Sequence, residues 1–94
     1  MLSVVIPTYR KPELLERTLT ALAEQASGSD VEVVVVDDGS EDGRTPTTID
    51  SFSGRMRVRN AGSGNNEGRA RARNRGWRAA HGRWVLFLDD DIAL

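Results

Sequence analysis

The chain has 94 residues, of which 38% are hydrophobic and 29% charged, which fits one small globular domain rather than a disordered segment. It contains no cysteine, which excludes disulfides and thiolate metal sites, and its single histidine, His81, argues against a histidine-based metal site. The formal net charge of -1 gives no general attraction to nucleic acid, and no apolar run reaches the ~18 residues of a membrane span. Because the start also lacks a basic signal segment, we expect a cytoplasmic location, with peripheral membrane association of a longer protein left open.

Strand and helix patterns alternate through the first half of the chain. A β-branched run at residues 3–6, stopped by Pro7, predicts a buried first strand. Pro12 suits the first position of a helix, and leucines at helical spacing predict that this helix covers residues 12–26. The valine run at residues 31–36 predicts a second strand in the middle of a parallel sheet.

The second half continues the alternation with weaker patterns. Residues 45–52 predict a short helix, and the alternating residues 55–59 predict a third strand near a sheet edge. A helix is predicted over residues 69–81, ending at Gly82, and a final strand over residues 83–88, buried on both faces. The face of the helix that we expect to be buried consists of Ala70, Asn74 or Arg73, Trp77 and Ala80.

The order of elements, β-α-β-α-β-α-β, predicts an α/β fold with a parallel sheet and right-handed crossovers. A strand order of 3-2-1-4 would place a switch point between the first and fourth strands. The loops that begin at Thr8, Asp37 and Asp89 would then meet at one crevice, where open α/β sheets bind ligands.

Two acidic clusters, Asp37-Asp38 and Asp89-Asp90-Asp91, each follow an apolar strand. One such cluster is as often a solvated turn as a binding site. Two in one small α/β unit suggest a metal–nucleotide site, because carboxylates bind Mg²⁺ or Mn²⁺ and accept hydrogen bonds from bases and ribose. Asp89 to Asp91 would hold metal and ribose, and Asp37 or Asp38 would hold the base.

An arginine-rich segment lies between these clusters. Residues 55–83 contain nine arginines and one acidic residue, Glu67. The segment is either a solvated helix face or a source of side chains that bind a diphosphate, for which we select Arg71 and Arg73. RNA binding is the less favoured alternative, because Trp77 is the one aromatic residue of the basic helix and its spacing suggests the core. We expect no nucleic-acid partner.

The loop at residues 62–68 spaces its glycines as G-x-G-x-x-x-G, one residue longer than a dinucleotide fingerprint. It follows the third strand rather than the first and lacks a P-loop lysine. We therefore interpret it as a flexible or ligand-adjacent loop. Thr8 and Tyr9, at the end of the first strand, are either turn residues or flank a bound base.

Four motifs in order resemble glycosyltransferase family 2. They are Val5-Ile6-Pro7-Thr8-Tyr9, the segment from Glu32 to Ser40 ending in Asp-Asp-Gly-Ser, Ala72-Arg73-Asn74-Arg75-Gly76, and the segment from Gly82 to Asp91. The resemblance covers essentially the whole chain. It implies a GT-A fold, whose nucleotide-binding half is Rossmann-like, and transfer of a sugar from a nucleotide diphosphate sugar to an acceptor.

The resemblance also implies roles for individual residues. The first-strand loop of the family contacts the nucleotide, which points to Pro7, Thr8 and Tyr9, and the second aspartate of Asp-Asp-Gly-Ser meets the base, which points to Asp38. The acidic triplet corresponds to the D-x-D motif. Asp91 would bind Mg²⁺ or Mn²⁺, with Asp89 and Asp90 near ribose and metal, and the displacement would invert the anomeric centre.

The family's acceptor side and general base follow the part that this chain matches. We therefore expect residues 1–94 to be the nucleotide-sugar-binding part of a transferase, inactive alone, with no catalytic base of its own. Uncovered apolar surface would favour self-association. The alternatives are a non-catalytic nucleotide-sugar-binding or interaction module and, much less favoured, a receiver-like signalling domain, which would need a lysine after a late strand where this chain has only Lys11.

Overall fold

The computed structural model describes residues 1–26 and 30–89. Their elements are β1 (Leu2–Thr8), α1 (Pro12–Ala26), β2 (Val31–Asp37), α2 (Arg44–Asp50), β3 (Arg57–Asn60), α3 (Arg69–Ala79) and β4 (Trp84–Phe87). The four strands form one parallel sheet in the order β3-β2-β1-β4, which confirms the predicted alternation and strand order. Within the described residues, none of the helices combines the length and apolarity needed to cross a bilayer.

The central strands β1 and β2 are buried on both faces. In their parallel register Val4 lies beside Val33 and Val5 beside Val34. Val33 packs on the side of α1 and α2, whereas Val34 packs on the side of α3. Since both faces of β2 meet a helix, the positions from Val33 to Val36 are all buried, which explains the valine run.

The larger core lies between the sheet and helices α1 and α2. Leu15, Leu19 and Leu22 recur at helical spacing and turn one face of α1 toward Val4 and Ile6. Each such leucine, once fully buried, contributes about 1.5–3 kcal/mol. Ile49 of α2 and Phe52 complete this core. The segment after β2, whose hydrophobic pattern is weak, therefore packs into the core through these two apolar side chains.

The prediction that β1 ends at residue 6 is wrong by two residues, because the strand runs through Pro7 to Thr8. The backbone of alternate residues of β1 points toward β4, as the bond from the Leu88 N–H to the Val5 carbonyl shows. Pairing with β4 ends at Val5. Pro7 therefore lies where β1 needs no N–H donor, and proline is tolerated there.

The buried face of α3 is not the predicted one. Ala72 and Gly76 are its buried residues, whereas Trp77 is 58% exposed. The helix lies so close to the sheet that a Cβ at Gly76 would stand 2.3 Å from Val5 Cγ1 and 2.9 Å from Val36 Cγ2. Small residues permit this close approach, and a face containing Trp77 could not pack at the same distance.

The prediction that the last strand is buried on both faces is also wrong. Val85 and Phe87 pack on the α3 side, but Trp84 is 68% and Leu86 46% exposed on the other. In the part of the chain that the structure describes, β4 pairs with β1 alone. An apolar run thus predicted the strand but not its position at the edge.

A buried carboxylate, Glu32, ties together the amino-terminal edge of the sheet. It accepts hydrogen bonds from the Ser3 hydroxyl, the Arg59 guanidinium and the His81 backbone N–H. Arg59 also donates to the Ala79 carbonyl at the end of α3. Burial by itself raises the pKa of Glu32, but these hydrogen bonds outweigh it and lower the pKa to about 2. The network joins β1, β2, β3 and the α3–β4 junction through one side chain.

Candidate functional site

The loops after β1 and β2 are joined at the carboxyl edge of the sheet. The backbone N–H of Asp38 donates to the Thr8 carbonyl at 2.8 Å, and the Arg10 N–H donates to the Ser40 hydroxyl at 2.7 Å. This edge lies beside the switch point between β1 and β4, where ligands of open α/β sheets bind. Two of the three predicted loops therefore meet as expected from the topology.

The acidic loop after β2 forms a tight turn that packs against the loop before α3. Asp37 Oδ1 accepts a hydrogen bond from the Ser40 N–H at 2.9 Å and closes a tight turn. Gly39 in this turn has φ +81°, and a Cβ there would stand 2.4 Å from the backbone nitrogen of Asn66. The turn thus packs directly on the glycine- and asparagine-rich loop that precedes α3, and only glycine fits that contact.

Asp38 anchors the start of α3. Its two carboxylate oxygens accept hydrogen bonds from the backbone N–H groups of Glu67 (2.7 Å) and Gly68 (3.1 Å). A carboxylate at this position satisfies donors that a helix leaves free and interacts favourably with the helix dipole. The side chain is buried except for the part that faces a neighbouring pocket.

That pocket lies at the carboxyl edge, and we call it the edge pocket. It is lined by Pro7, Thr8, Tyr9, Lys11, Asp38, Arg69 and Ala72. Its volume of about 120 Å³ is below the roughly 300 Å³ at which sites for small molecules begin, so the edge pocket by itself is too small to enclose such a ligand. An apolar and aromatic wall beside a carboxylate suits a flat, hydrogen-bonding ring.

The edge pocket brings together four residues predicted from the sequence: Pro7, Thr8, Tyr9 and Asp38. It also includes Lys11 and Arg69, to which no sequence motif pointed. The topology could have identified both. Lys11 immediately precedes α1, and Arg69 is the first residue of α3, so each must lie at the carboxyl edge of a parallel sheet.

Asp89 reaches the same edge from β4. Its carboxylate lies 3.4 Å from the guanidinium of Arg69, and both side chains are more than half exposed. Asp90 and Asp91, the other members of the acidic triplet, lie outside the described residues. Within residues 1–26 and 30–89 no group of three or more carboxylate, histidine or cysteine side chains clusters as a metal site. Asp89 nevertheless offers one carboxylate of the kind that hard divalent cations bind, at a position more than half exposed.

The structure does not place Arg71 and Arg73 on the wall of the edge pocket. Arg73 lies over the ring of Phe87, with its guanidinium carbon 4.7 Å from the ring centroid. Arg71 lines a groove on the opposite flank of α3 together with Arg75. Arg75 is paired there with Glu67 at 2.9 Å, which lowers the pKa of Glu67. Their predicted contact with a diphosphate stays a prediction.

Comparison with known proteins identifies the family to which the chain is similar. The model of glycosyl transferase family 2 matches residues 3–94. A validoxylamine A glucosyltransferase of Streptomyces hygroscopicus subsp. jinggangensis is 44% identical over 98% of this chain, and the chain spans 22% of that relative's length. A poly(ribitol-phosphate) beta-N-acetylglucosaminyltransferase, TarP of Staphylococcus aureus, is 35% identical over 98% of this chain and 28% of its own length.

Solved structures agree with these relatives. S. aureus TarS 1-349 in complex with UDP is similar with a TM-score of 0.86 and 32% identity, over 96% of this chain and 27% of that one. The mannosyltransferase PcManGT of Pyrobaculum calidifontis, in complex with GDP-Man and Mn²⁺, gives a TM-score of 0.84 and 32% identity over the same shares. These neighbours confirm the predicted Rossmann-like half of a GT-A fold. The chain belongs to glycosyltransferase family 2.

Proposed function

We propose that the protein transfers a sugar from a nucleotide diphosphate sugar to an acceptor, and that the described residues form the nucleotide side of its donor site. The observation that carries this proposal is the edge pocket, in which Thr8, Tyr9 and Asp38 meet at the switch point of the sheet. The complexes of TarS with UDP and of PcManGT with GDP-Man support it, since both proteins share this fold.

Within this site the base would lie in the edge pocket. Pro7, Thr8 and Tyr9 offer a wall for one face of the ring, and the remaining lone pairs of Asp38 would accept hydrogen bonds from its edge. The backbone bonds from Glu67 and Gly68 fix the carboxylate of Asp38 before any ligand arrives. Such preorganisation reduces the entropy cost of binding.

Asp89, with Asp90, would meet the ribose and the metal, and Asp91 would complete the metal site. Mg²⁺ or Mn²⁺ held there would neutralise charge on the departing nucleoside diphosphate. The part of this chain that the structure describes contributes the carboxylate of Asp89, which follows β4 and lies beside Arg69 of the edge pocket. We propose an inverting transfer, with the acceptor and the general base supplied from outside these residues.

A second candidate is a non-catalytic nucleotide-sugar-binding module. It is favoured by the contacts of two carboxylates at the carboxyl edge of the sheet: Asp38 accepts from two backbone N–H groups, and Asp89 is paired with Arg69. These residues therefore offer contacts for a nucleotide but no free base. Release of free nucleotide from a donor sugar, measured with and without acceptor extracts, distinguishes a transferase from a binding module.

The test of the proposed site is calorimetric titration of UDP, GDP and dTDP, with and without Mn²⁺. The variants are Asp91→Ala and, as a matched control on an exposed turn of α1, Glu24→Ala. We expect one nucleotide to bind in a metal-dependent manner, with binding lost in Asp91→Ala and kept in Glu24→Ala. If a folded protein binds none of the three, the proposal is wrong for this chain.

A further inference from the structure

Among the five arginines of α3, Arg69 has a position that the others do not share. It is the first residue of the helix and lines the edge pocket, and its guanidinium lies 3.4 Å from Asp89. It therefore stands between the wall proposed for the base and the carboxylate proposed for ribose and metal. Because the diphosphate follows the ribose in a nucleotide, a ribose or a metal-bound diphosphate that meets Asp89 would lie within reach of this guanidinium.

We propose that Arg69 is the residue that binds the donor diphosphate. In the absence of metal its guanidinium is paired with Asp89, and a metal bound to that carboxylate would release the guanidinium for the diphosphate. This inference rests on the proposed function and adds a residue that the family resemblance did not assign. Arg69 is placed for this role by its side-chain contacts, whereas Arg73 is engaged with Phe87 and Arg71 faces the opposite flank.

The present ion pair is weak enough to be exchanged. The side chain of Arg69 is 67% and that of Asp89 55% exposed, and pairs between solvated groups contribute little to stability. A divalent cation would neutralise Asp89 more strongly than a solvated guanidinium does. Arg69 would then be free to present its planar fork to two phosphate oxygens, a geometry that lysine cannot reproduce.

The proposed exchange also predicts that the contribution of Arg69 to diphosphate binding depends on the presence of metal. Without metal, the diphosphate would compete with Asp89 for the guanidinium of Arg69, and Asp89 would also repel the phosphates. With a divalent cation held at Asp89, the guanidinium would be free to bind the diphosphate. Arg69 is then a binding residue in both conditions, but its contribution is masked by Asp89 when metal is absent.

The test compares a nucleoside with its diphosphate by NMR chemical-shift titration of the protein in Mn²⁺-free buffer containing Mg²⁺. Uridine, guanosine and thymidine and their diphosphates are the probes, and Arg69→Gln is compared with Arg78→Gln, an exposed arginine of the same helix away from the edge pocket. We expect Arg69→Gln to weaken the diphosphate about tenfold or more while changing the nucleoside less than about twofold. Arg78→Gln should change both by less than about twofold.

A second arm tests the exchange itself, in buffer containing a chelator. Asp89→Asn should tighten diphosphate binding by about threefold, and by clearly less in an Arg69→Gln background, because the two residues are coupled. Equal effects in both backgrounds would show simple charge repulsion and overturn the exchange. An unchanged ratio of diphosphate to nucleoside affinity in Arg69→Gln would overturn the role of Arg69 while leaving the proposed function intact. If the folded wild type binds no diphosphate, both proposals are wrong.

Discussion

The two ends of the sheet use carboxylates in opposite ways. At the amino-terminal edge Glu32 is 3% exposed and accepts from three donors within the described chain, on Ser3, Arg59 and His81. At the carboxyl edge Asp89 is more than half exposed, and its ion-pair partner among the described residues is the exposed Arg69 at 3.4 Å. A carboxylate satisfied by its own fold stabilises that fold, whereas one held loosely at an open edge is available to a ligand.

Asp38 lies between these extremes. It is buried like Glu32, yet it borders the edge pocket, and its two partners are backbone N–H groups at the start of α3. It therefore serves the fold and the site at once. The comparison predicts a ranking: substitution should cost most stability at Glu32, less at Asp38 and least at Asp89, while the effect on nucleotide binding should run the other way.

The largest effect on stability is expected from Glu32→Gln. The amide cannot satisfy the three donors as a charged acceptor does, and the Arg59 guanidinium would be left without its counter-charge. We expect a loss of about 3 kcal/mol in the free energy of unfolding, measured by urea denaturation at pH 7. Glu16→Gln, an exposed residue of α1, is the control. A loss below about 0.5 kcal/mol, the range of ordinary surface substitutions, would contradict the assigned role of the network.

Because Glu32 has a lowered pKa, we expect the free energy of unfolding to depend on pH. The pKa of Glu32 falls from its ordinary value of 4.5 in the unfolded chain to about 2 in the folded one. Its contribution is therefore fully present above about pH 4.5 and is lost as the pH falls toward 2, and linkage sets it at about 3 kcal/mol. The difference in unfolding free energy between wild type and Glu32→Gln should shrink through this window. A difference that stays constant from pH 6 to pH 2 would contradict the prediction.

Sequence patterns predicted the elements, because each depends on local spacing. The leucines of α1 recur at the period of a helix and so indicate its buried face. The valines of β2 follow one another without a break and so indicate a strand that is covered on both faces. Alternation of the elements predicted a parallel sheet with right-handed crossovers, with which the Rossmann-like strand order 3-2-1-4 agrees. The meeting of Thr8 with Asp38 at one edge followed from that order alone.

Features that depend on long-range distances could not be predicted in this way. Trp77 has the spacing of a core residue, but Gly76 brings α3 too near Val5 for an indole to fit beneath it. Glu32 gave no signal, since its donors come from three distant segments. The choice among the arginines of α3 required the direction of each side chain, which a charge pattern does not contain.

An intermediate effect on stability is expected from Asp38→Asn. The neutral amide oxygen can accept from Glu67 or Gly68, but it no longer provides two anionic acceptors at the start of α3. We expect about 1 kcal/mol of lost stability and faster hydrogen exchange of these two amides. Glu41→Gln removes the same charge from an exposed position of the neighbouring loop and serves as the control. Unchanged protection of both amides would mean that Asp38 does not anchor the helix.

The smallest effect on stability is expected from Asp89→Asn. Its ion pair with Arg69 is exposed, so its loss should cost less than about 0.5 kcal/mol. Nucleoside diphosphate affinity in the presence of Mn²⁺ should nevertheless fall about tenfold or more, because a neutral amide is a poor ligand for a hard cation. Urea denaturation and calorimetric titration of the same samples measure both quantities. Glu32→Gln, assayed where it remains folded, should give the reverse pattern of lost stability and retained affinity. If Asp89→Asn instead destabilises the fold as much as Glu32→Gln does, the two edges are not functionally distinct, and the acidic triplet belongs to the structure rather than to the site.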